Sequence, residues 1–206
     1  MMSFDKMKLR IPTRVDARRI YLRCYIESDS DWYYVMSLKN REHLARYETQ
    51  NLTRWIETPQ DAEFQISEHI DVWKKRDTFV MGVFKKSTDE FVAEINLQPT
   101  DWEVPDFWIG YFVDQLYQGQ GYVTEAVSVA IFFAFTYLKA HRITIQCDDT
   151  NHRSRRVAER LGLVLEGHYR QDTRNTDGSL SGTLSFRLLR SEFETQKERY
   201  RALGLN

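Results

Sequence analysis

An apolar run, Phe107 to Val113 (FWIGYFV), is followed at once by Asp114–Glu125 (DQLYQGQGYVTE) and then by a long helical stripe. Val123, Ala126, Val127, Ala130, Ile131, Ala134 and Leu138 recur with the period of one helix face. The run before the loop reads as a buried strand, so Gly119 and Gly121 stand where a strand hands over to a helix. The first N–H groups of a helix lack intrahelical partners, and the helix dipole adds positive potential there. Glycine lets an anion approach that backbone without a Cβ in the way. The junction therefore predicts an anion site, with a pyrophosphate as its occupant, and a strand–helix–strand unit containing a parallel pair.

The other elements follow from local signals. Arg19–Tyr25 alternates and predicts a first strand, with residues 1–18 before it polar, basic and irregular. Ser28 to Asp31 offer caps for a helix from Trp32 to Lys39, with a second piece reaching Tyr47. Asn51–Thr58 reads as a loop. Thr58, Pro59 and Asp61 then mark a helix start. That helix runs to Lys75 with Phe64, Ile66, Ile70 and Trp73 inward. Thr78–Phe84 and Glu90–Leu97 form a hairpin about Lys85–Asp89, and a loop through Pro99 and Pro105 leads to the strand at Phe107. Ile143–Cys147 is a short strand, and Asn151–Leu161 a helix stopped by Gly162. Leu163–Tyr169 and Leu184–Leu189 are strands flanking a turn at 175–178, and a charged helix covers Ser191–Leu203. The order predicts a mixed α/β fold, with helices on both faces of one mostly antiparallel sheet that contains one parallel pair.

Composition narrows the function classes. The 206 residues suffice for one domain with a sizeable core, and 42% hydrophobic with 29% charged residues is ordinary for a globular chain. A formal net charge of −1 gives no global attraction to nucleic acid or an anionic membrane. Cys24 and Cys147 make no disulfide framework. The start MMSFDKMKLR lacks an apolar signal core, and the run Val129–Phe135 is too short to span a bilayer, so the expected location is cytoplasmic. The 14% aromatic content includes Phe132, Phe133 and Phe135 on the long helix, where they read as packing.

Trp108-Ile-Gly-Tyr-Phe-Val-Asp, Tyr117-Gln-Gly-Gln-Gly-Tyr-Val-Thr-Glu-Ala126, His141-Arg142-Ile143, Asn151-His-Arg-Ser154 and Glu159-Arg-Leu-Gly-Leu163 occur in that order. Together they resemble the GNAT N-acetyltransferases, in the branch of the ribosomal-protein N-terminal acetyltransferases (RimJ/RimL-like). The resemblance covers residues 19–190, after an extension over 1–18 and before a terminal helix over 191–206. It implies acetyl-coenzyme A as co-substrate, no metal, and direct transfer to a primary amine. The preferred acceptor is a protein N-terminal α-amine, such as that of a ribosomal protein. Small amines such as a polyamine or aminoglycoside are the alternative within the enzyme class. A non-catalytic coenzyme A-binding module is the alternative outside it, and the chain would act as a monomer or homodimer.

The same resemblance implies site residues. The strand before the loop splays from its parallel neighbour, and the pantetheine arm pairs with Tyr111, Phe112 and Val113, where a backbone N–H stabilises the oxyanion. Gln118, Gly119, Gln120, Gly121, Tyr122, Val123 and Thr124 take the pyrophosphate. Asn151 bonds the pantetheine arm, and the Ser154 hydroxyl faces the sulfur to stabilise the departing thiolate. Either residue also suits a plain helix cap. Arg156 meets the adenosine phosphates. Asp106, Glu94 and Asp172 are the alternatives for the general base, beside a water relay, and Arg46, Tyr47 and Trp55 line the acceptor pocket. Two positions depart from the family pattern: Leu116 replaces the usual Gln or Arg of the loop signature, and Trp108 stands where relatives carry an acid.

Overall fold

A computed structural model describes residues 4–45, 47, 51–175 and 177–202. Its centre is an eight-stranded sheet in the order β1-β2-β3-β4-β5-β6-β8-β7. The strands are β1 (Arg14–Asp16), β2 (Ile20–Cys24), β3 (Phe79–Lys85), β4 (Phe91–Asp101), β5 (Asp106–Val113), β6 (Arg142–Asp148), β7 (Val164–Arg174) and β8 (Leu180–Leu189). Every neighbouring pair is antiparallel except β5–β6. The helices are α1 (Ser30–Leu44), α2 (Pro59–Lys75), α3 (Tyr122–Thr136), α4 (His152–Arg160) and α5 (Arg190–Arg201). The mixed α/β expectation holds.

The two faces of the sheet are buried differently. Ile20, Leu22, Met81, Ile95, Ile109, Ile143, Ile145, Phe186 and Leu188 point into one core with the apolar side of α3 and with Phe193 of α5. Tyr33, Met36, Ile66, Val80 and Phe112 form a second core beneath α1 and α2. Those two helices leave the far ends of β4 and β5 uncovered, so Gln98 and Trp108 are exposed there.

Several expectations are corrected. The first 18 residues are not wholly irregular, since Lys6–Lys8 is a 3₁₀ turn and β1 pairs with β2 through Val15↔Leu22. Three residues are too few for periodicity to announce a strand, and the partner strand supplies the order. The helix expected in two pieces is one, α1, although Asn40 lies within it. Asn40 is fully buried, and its amide donates to Met36 O at 3.0 Å and to Asp114 Oδ2 at 2.9 Å. Its Oδ1 accepts from Gln115 N–H at 2.9 Å, so a buried polar residue pins α1 to the loop after β5.

Phe64 is exposed rather than inward, because α2 buries Ala62 and Ile66, four residues apart on one face. Pro99 lies in β4 opposite Phe107, beside a register shift where the ladder has no use for its missing N–H. Between Asn51 and Thr58, Leu52–Trp55 forms a 3₁₀ turn. Strands β7 and β8 run longer than expected, which puts Asp172 inside β7 in a bulged stretch between Tyr169 and Thr173. Leu203, the expected end of the last helix, and Thr176 of the hairpin turn lie outside the described residues.

Candidate active site

Strands β5 and β6 pair only at Asp106↔Arg142, Phe107↔Ile143 and Trp108↔Thr144. Beyond Trp108, β5 stays with β4 as far as Ala93↔Val113, so a gap opens on its other side. The Asp114 N–H donates to Val92 O at 2.9 Å. Backbone groups alternate along a strand, so Phe112 and Gly110 also turn theirs toward β4. Tyr111 and Val113 turn theirs into the gap. The gap ends at a 3₁₀ turn, Gln115–Tyr117, then Gly119 at φ +72 and Gly121 at φ +80, the cap of α3. Both angles are in the left-handed region, which disfavours any residue with a Cβ. The loop is clamped from behind by Arg19. Its Nε donates to Glu125 Oε2 at 2.7 Å, its backbone N–H to Glu125 Oε1 at 2.7 Å, and its NH1 to Gln120 O at 3.1 Å.

Across the gap, Asn151 caps α4 by accepting from Ser154 N–H at 3.1 Å, and Ser154 Oγ lies 2.8 Å from the Tyr111 hydroxyl. Burial pushes up the thiol of Cys147, near the end of β6, and the Ser154 side chain opposes that shift. A cleft of about 410 Å³ opens beside β5 on the α1–α2 side. It is lined by Tyr33, Tyr47, Thr53, His69, Glu94 and Tyr111 among others. Glu94 is 7% exposed and accepts from Tyr25 Oη at 2.6 Å and Tyr33 Oη at 3.2 Å. Desolvation pushes its pKa up to about 7, against the pull of the two hydroxyls. Desolvation likewise drives His69 down to about 4. The cleft thus holds a carboxyl that changes charge near neutrality.

A gap in a parallel pair, closed by a glycine loop at a helix start, is the arrangement the sequence motifs anticipated. The family model "Acetyltransferase (GNAT) domain" matches residues 19–164. The chain belongs to the GNAT acetyltransferases. Probable N-acetyltransferase YjcK of Bacillus subtilis is 27% identical over 158 residues, covering 76% of this chain and 87% of that protein. Ribosomal-protein-serine acetyltransferase of Escherichia coli is 25% identical over 138 residues, covering 67% and 75%. RimL, a ribosomal L7/L12 alpha-N-protein acetyltransferase solved with coenzyme A, superposes with a TM-score of 0.76 at 19% identity, covering 87% of this chain and 97% of that one. The last comparison establishes the fold.

Within this GNAT site the anticipated residues separate. Tyr111, Val113 and 118–124 line the gap and loop; Asn151 and Ser154 stand opposite; Glu94 and Tyr47 line the cleft. The Phe112 side chain belongs to the core under α1 and α2. Asp106 sits at the other end of β5, 4.0 Å from the Arg142 guanidinium, away from the cleft lining. Asp172 is exposed and accepts from Thr183 Oγ1 at 3.1 Å. Trp55 is 65% exposed and does not line the cleft, although the neighbouring Thr53 does. Arg46 lies outside the described residues. Arg156 is exposed on α4, whereas Arg153 donates to Gln118 Oε1.

Sequence reasoning missed the partners that come from distant elements. His43 of α1 donates from Nε2 to Val113 O at 3.1 Å, and Gln118 Nε2 donates to His43 Nδ1 at 2.8 Å. Arg153, Gln118 and His43 therefore chain α4 to α1 across the mouth of the gap. Tyr25, Tyr33 and His69 around Glu94 were also unseen. A histidine at Ile66+3 on a helix carries no signal until the helix is docked.

Proposed function

We propose that this GNAT enzyme moves the acetyl group of acetyl-coenzyme A directly to the N-terminal α-amine of a protein. Glu94 takes the ammonium proton. The observation carrying this reading is the position of Glu94, buried on the cleft floor beside the splayed strand with a pKa of about 7. An α-amine has a pKa of about 8 and a lysine or polyamine amine about 10. A base near 7 is matched to the first and several kcal/mol short of the second.

The loop supports the donor. Left-handed glycines at Gly119 and Gly121 leave backbone N–H groups at the start of α3 open to a diphosphate. The gap-facing edge at Tyr111 and Val113 suits an extended amide-bearing arm, and a backbone N–H there would meet the developing oxyanion. The hydrogen bond between Ser154 and Tyr111 supports a role for Ser154 in donating a proton to the departing thiolate, with Tyr111 replenishing it. No helix among the described residues is long and apolar enough to cross a membrane.

A thiol-release assay on peptides with free N-termini tests the reading, with spermidine and an aminoglycoside as competitors. Turnover should be highest on peptides and should rise with pH through about 7. Coenzyme A binding with no turnover on any amine would instead make the chain a binding module.

A further inference from the structure

Glu94 is surrounded by elements that meet only in the folded chain. Across the ladder it faces Gly82 of β3. A Cβ on Gly82 would stand 3.3 Å from Tyr25 Cε1 and 2.7 Å from Phe84 Cε2, so the bare glycine lets the Tyr25 ring lie against the sheet. That ring stacks on His69 of α2 with centroids 5.3 Å apart, and meets the Tyr33 ring of α1 edge-on at 5.4 Å. Tyr25 and Tyr33 are buried, and both hydroxyls donate to the same carboxylate oxygen, Oε2. Thr53 Oγ1 lies 3.0 Å from Tyr33 Oη and can donate to it, which leaves the Tyr33 proton for Glu94. Oε1 takes no hydrogen bond among the described residues, yet it is not a sealed atom, since Glu94 lines the cleft. A buried acid that serves the fold alone is expected to have both oxygens satisfied. This one is held twice at one oxygen and left open at the other.

We propose that Tyr25 and Tyr33 are positioning residues for the acetyl transfer: by holding Oε2 they turn Oε1 to the cleft and stabilise the charged carboxylate that takes the proton of the amine. This rests on the reading of Glu94 as the base. The proton passes from the ammonium nitrogen to Oε1, and the lone pair left on nitrogen attacks the acetyl carbon. Both hydroxyls oppose the desolvation that raises the Glu94 pKa, Tyr25 more than Tyr33. The other groups facing the carboxyl add no charge. His69 is driven down to about 4, so it is neutral near pH 7. Gly82 and Phe112, the ladder neighbours on β3 and β5, do not titrate. Tyr47 and Tyr111 also line the cleft, where they bond Thr150 O and Ser154. Removing either hydroxyl of the Tyr25–Tyr33 pair therefore raises the pH at which Glu94 ionises, while the remaining ring keeps water out.

The test follows kcat/KM on a peptide with a free N-terminus from pH 5.5 to 9, in the wild type, Tyr25→Phe, Tyr33→Phe and Glu94→Gln. The peptide amine titrates alike in all four, so a displaced limb belongs to the enzyme. In Tyr25→Phe the limb near pH 7 should move up by about one pH unit, the loss of one hydrogen bond to a charged group. At pH 6 its kcat/KM should fall about tenfold, and the loss should shrink as pH passes the new limb. Tyr33→Phe, with the longer bond, should move the limb the same way by less, and it serves where Tyr25→Phe fails to fold. A limb that stays in place, or a loss equal at every pH, would overturn this inference alone. No limb in the wild type, or one that survives in Glu94→Gln, would overturn Glu94 as the base and this inference with it.

Discussion

The Tyr111 hydroxyl lies 2.8 Å from Ser154 Oγ, joining β5 to α4 across the gap that opens past Trp108. Neither residue is near the other in the chain, and each is held by its own element: Tyr111 by the β4 ladder and Ser154 by the Asn151 cap. If Ser154 donates the proton to the departing thiolate, Ser154→Ala should lower kcat by about 10²-fold and leave coenzyme A affinity nearly unchanged. Tyr111→Phe should fall part of the way. Equilibrium binding beside steady-state rates separates the two effects, and an unchanged kcat in Ser154→Ala removes the role.

Glu94 makes two linked predictions. If Glu94 is the base it must be ionised, so kcat/KM for a peptide should rise with pH through about 7 and then level. Glu94→Gln keeps the contacts of Tyr25 and Tyr33 but should lower kcat/KM by about 10²- to 10⁴-fold and flatten that limb.

Stability should move the other way. The folded-state pKa is raised from 4.5 to about 7. Below the lower value both states are protonated and the group is neutral to stability. Between the two values the unfolded chain ionises first, so rising pH costs stability, and above about 7 the full penalty of about 3 kcal/mol is present. Glu94→Gln should therefore raise Tm at pH 8 and change it little at pH 4.5. Thermal melts at the two pH values check this. An equal shift at both would mean that the carboxyl is not carrying a burial penalty.

The loop glycines should be unequal to probe but alike in outcome. A Cβ at Gly119 would meet nothing within 4 Å, and one at Gly121 would meet Arg19 only at 3.5 Å. The protein itself has room, so the cost in the free enzyme is the positive φ, about 1–2 kcal/mol. If the diphosphate lies against this loop, coenzyme A should suffer more, because the Cβ would stand in its way. Gly119→Ala should weaken its Kd about tenfold or more, and Gly121→Val should abolish binding. Calorimetry would show normal binding if the diphosphate lies elsewhere.

Asn40 offers a test of fold rather than chemistry. Asn40→Ala leaves Asp114 Oδ2 and the Gln115 N–H without their partner inside a packed helix–loop contact. A loss of about 2 kcal/mol is expected, read from urea unfolding. Since Asp114 begins the loop, coenzyme A affinity should fall with it.

The short-range signals were legible because each is decided within a few residues. Thr58, Pro59 and Asp61 form the capping box they promised, and Thr58 Oγ1 accepts from Asp61 N–H at 3.2 Å. Gly119 and Gly121 have the backbone angles their type favours, and the α3 stripe faces the core. The misses lie where a distant partner overrides local preference. Phe64 is apolar and exposed, Asn40 is polar and buried, and β1 exists only because β2 lies beside it.

By itself, the sequence determined the element order, the glycine junction and the family, because periodicity, capping and positive-φ glycines act over short spans. The tertiary structure alone decided which carboxylate is desolvated. Glu94, Asp106 and Asp172 are equivalent as letters, since an acid's pKa is set by what surrounds it. Packing puts Glu94 under α1 and α2, away from water and against two tyrosines, while Asp106 meets Arg142 and Asp172 faces solvent. Desolvation depends on neighbours brought from elsewhere in the chain, so it could be read only once the chain was folded.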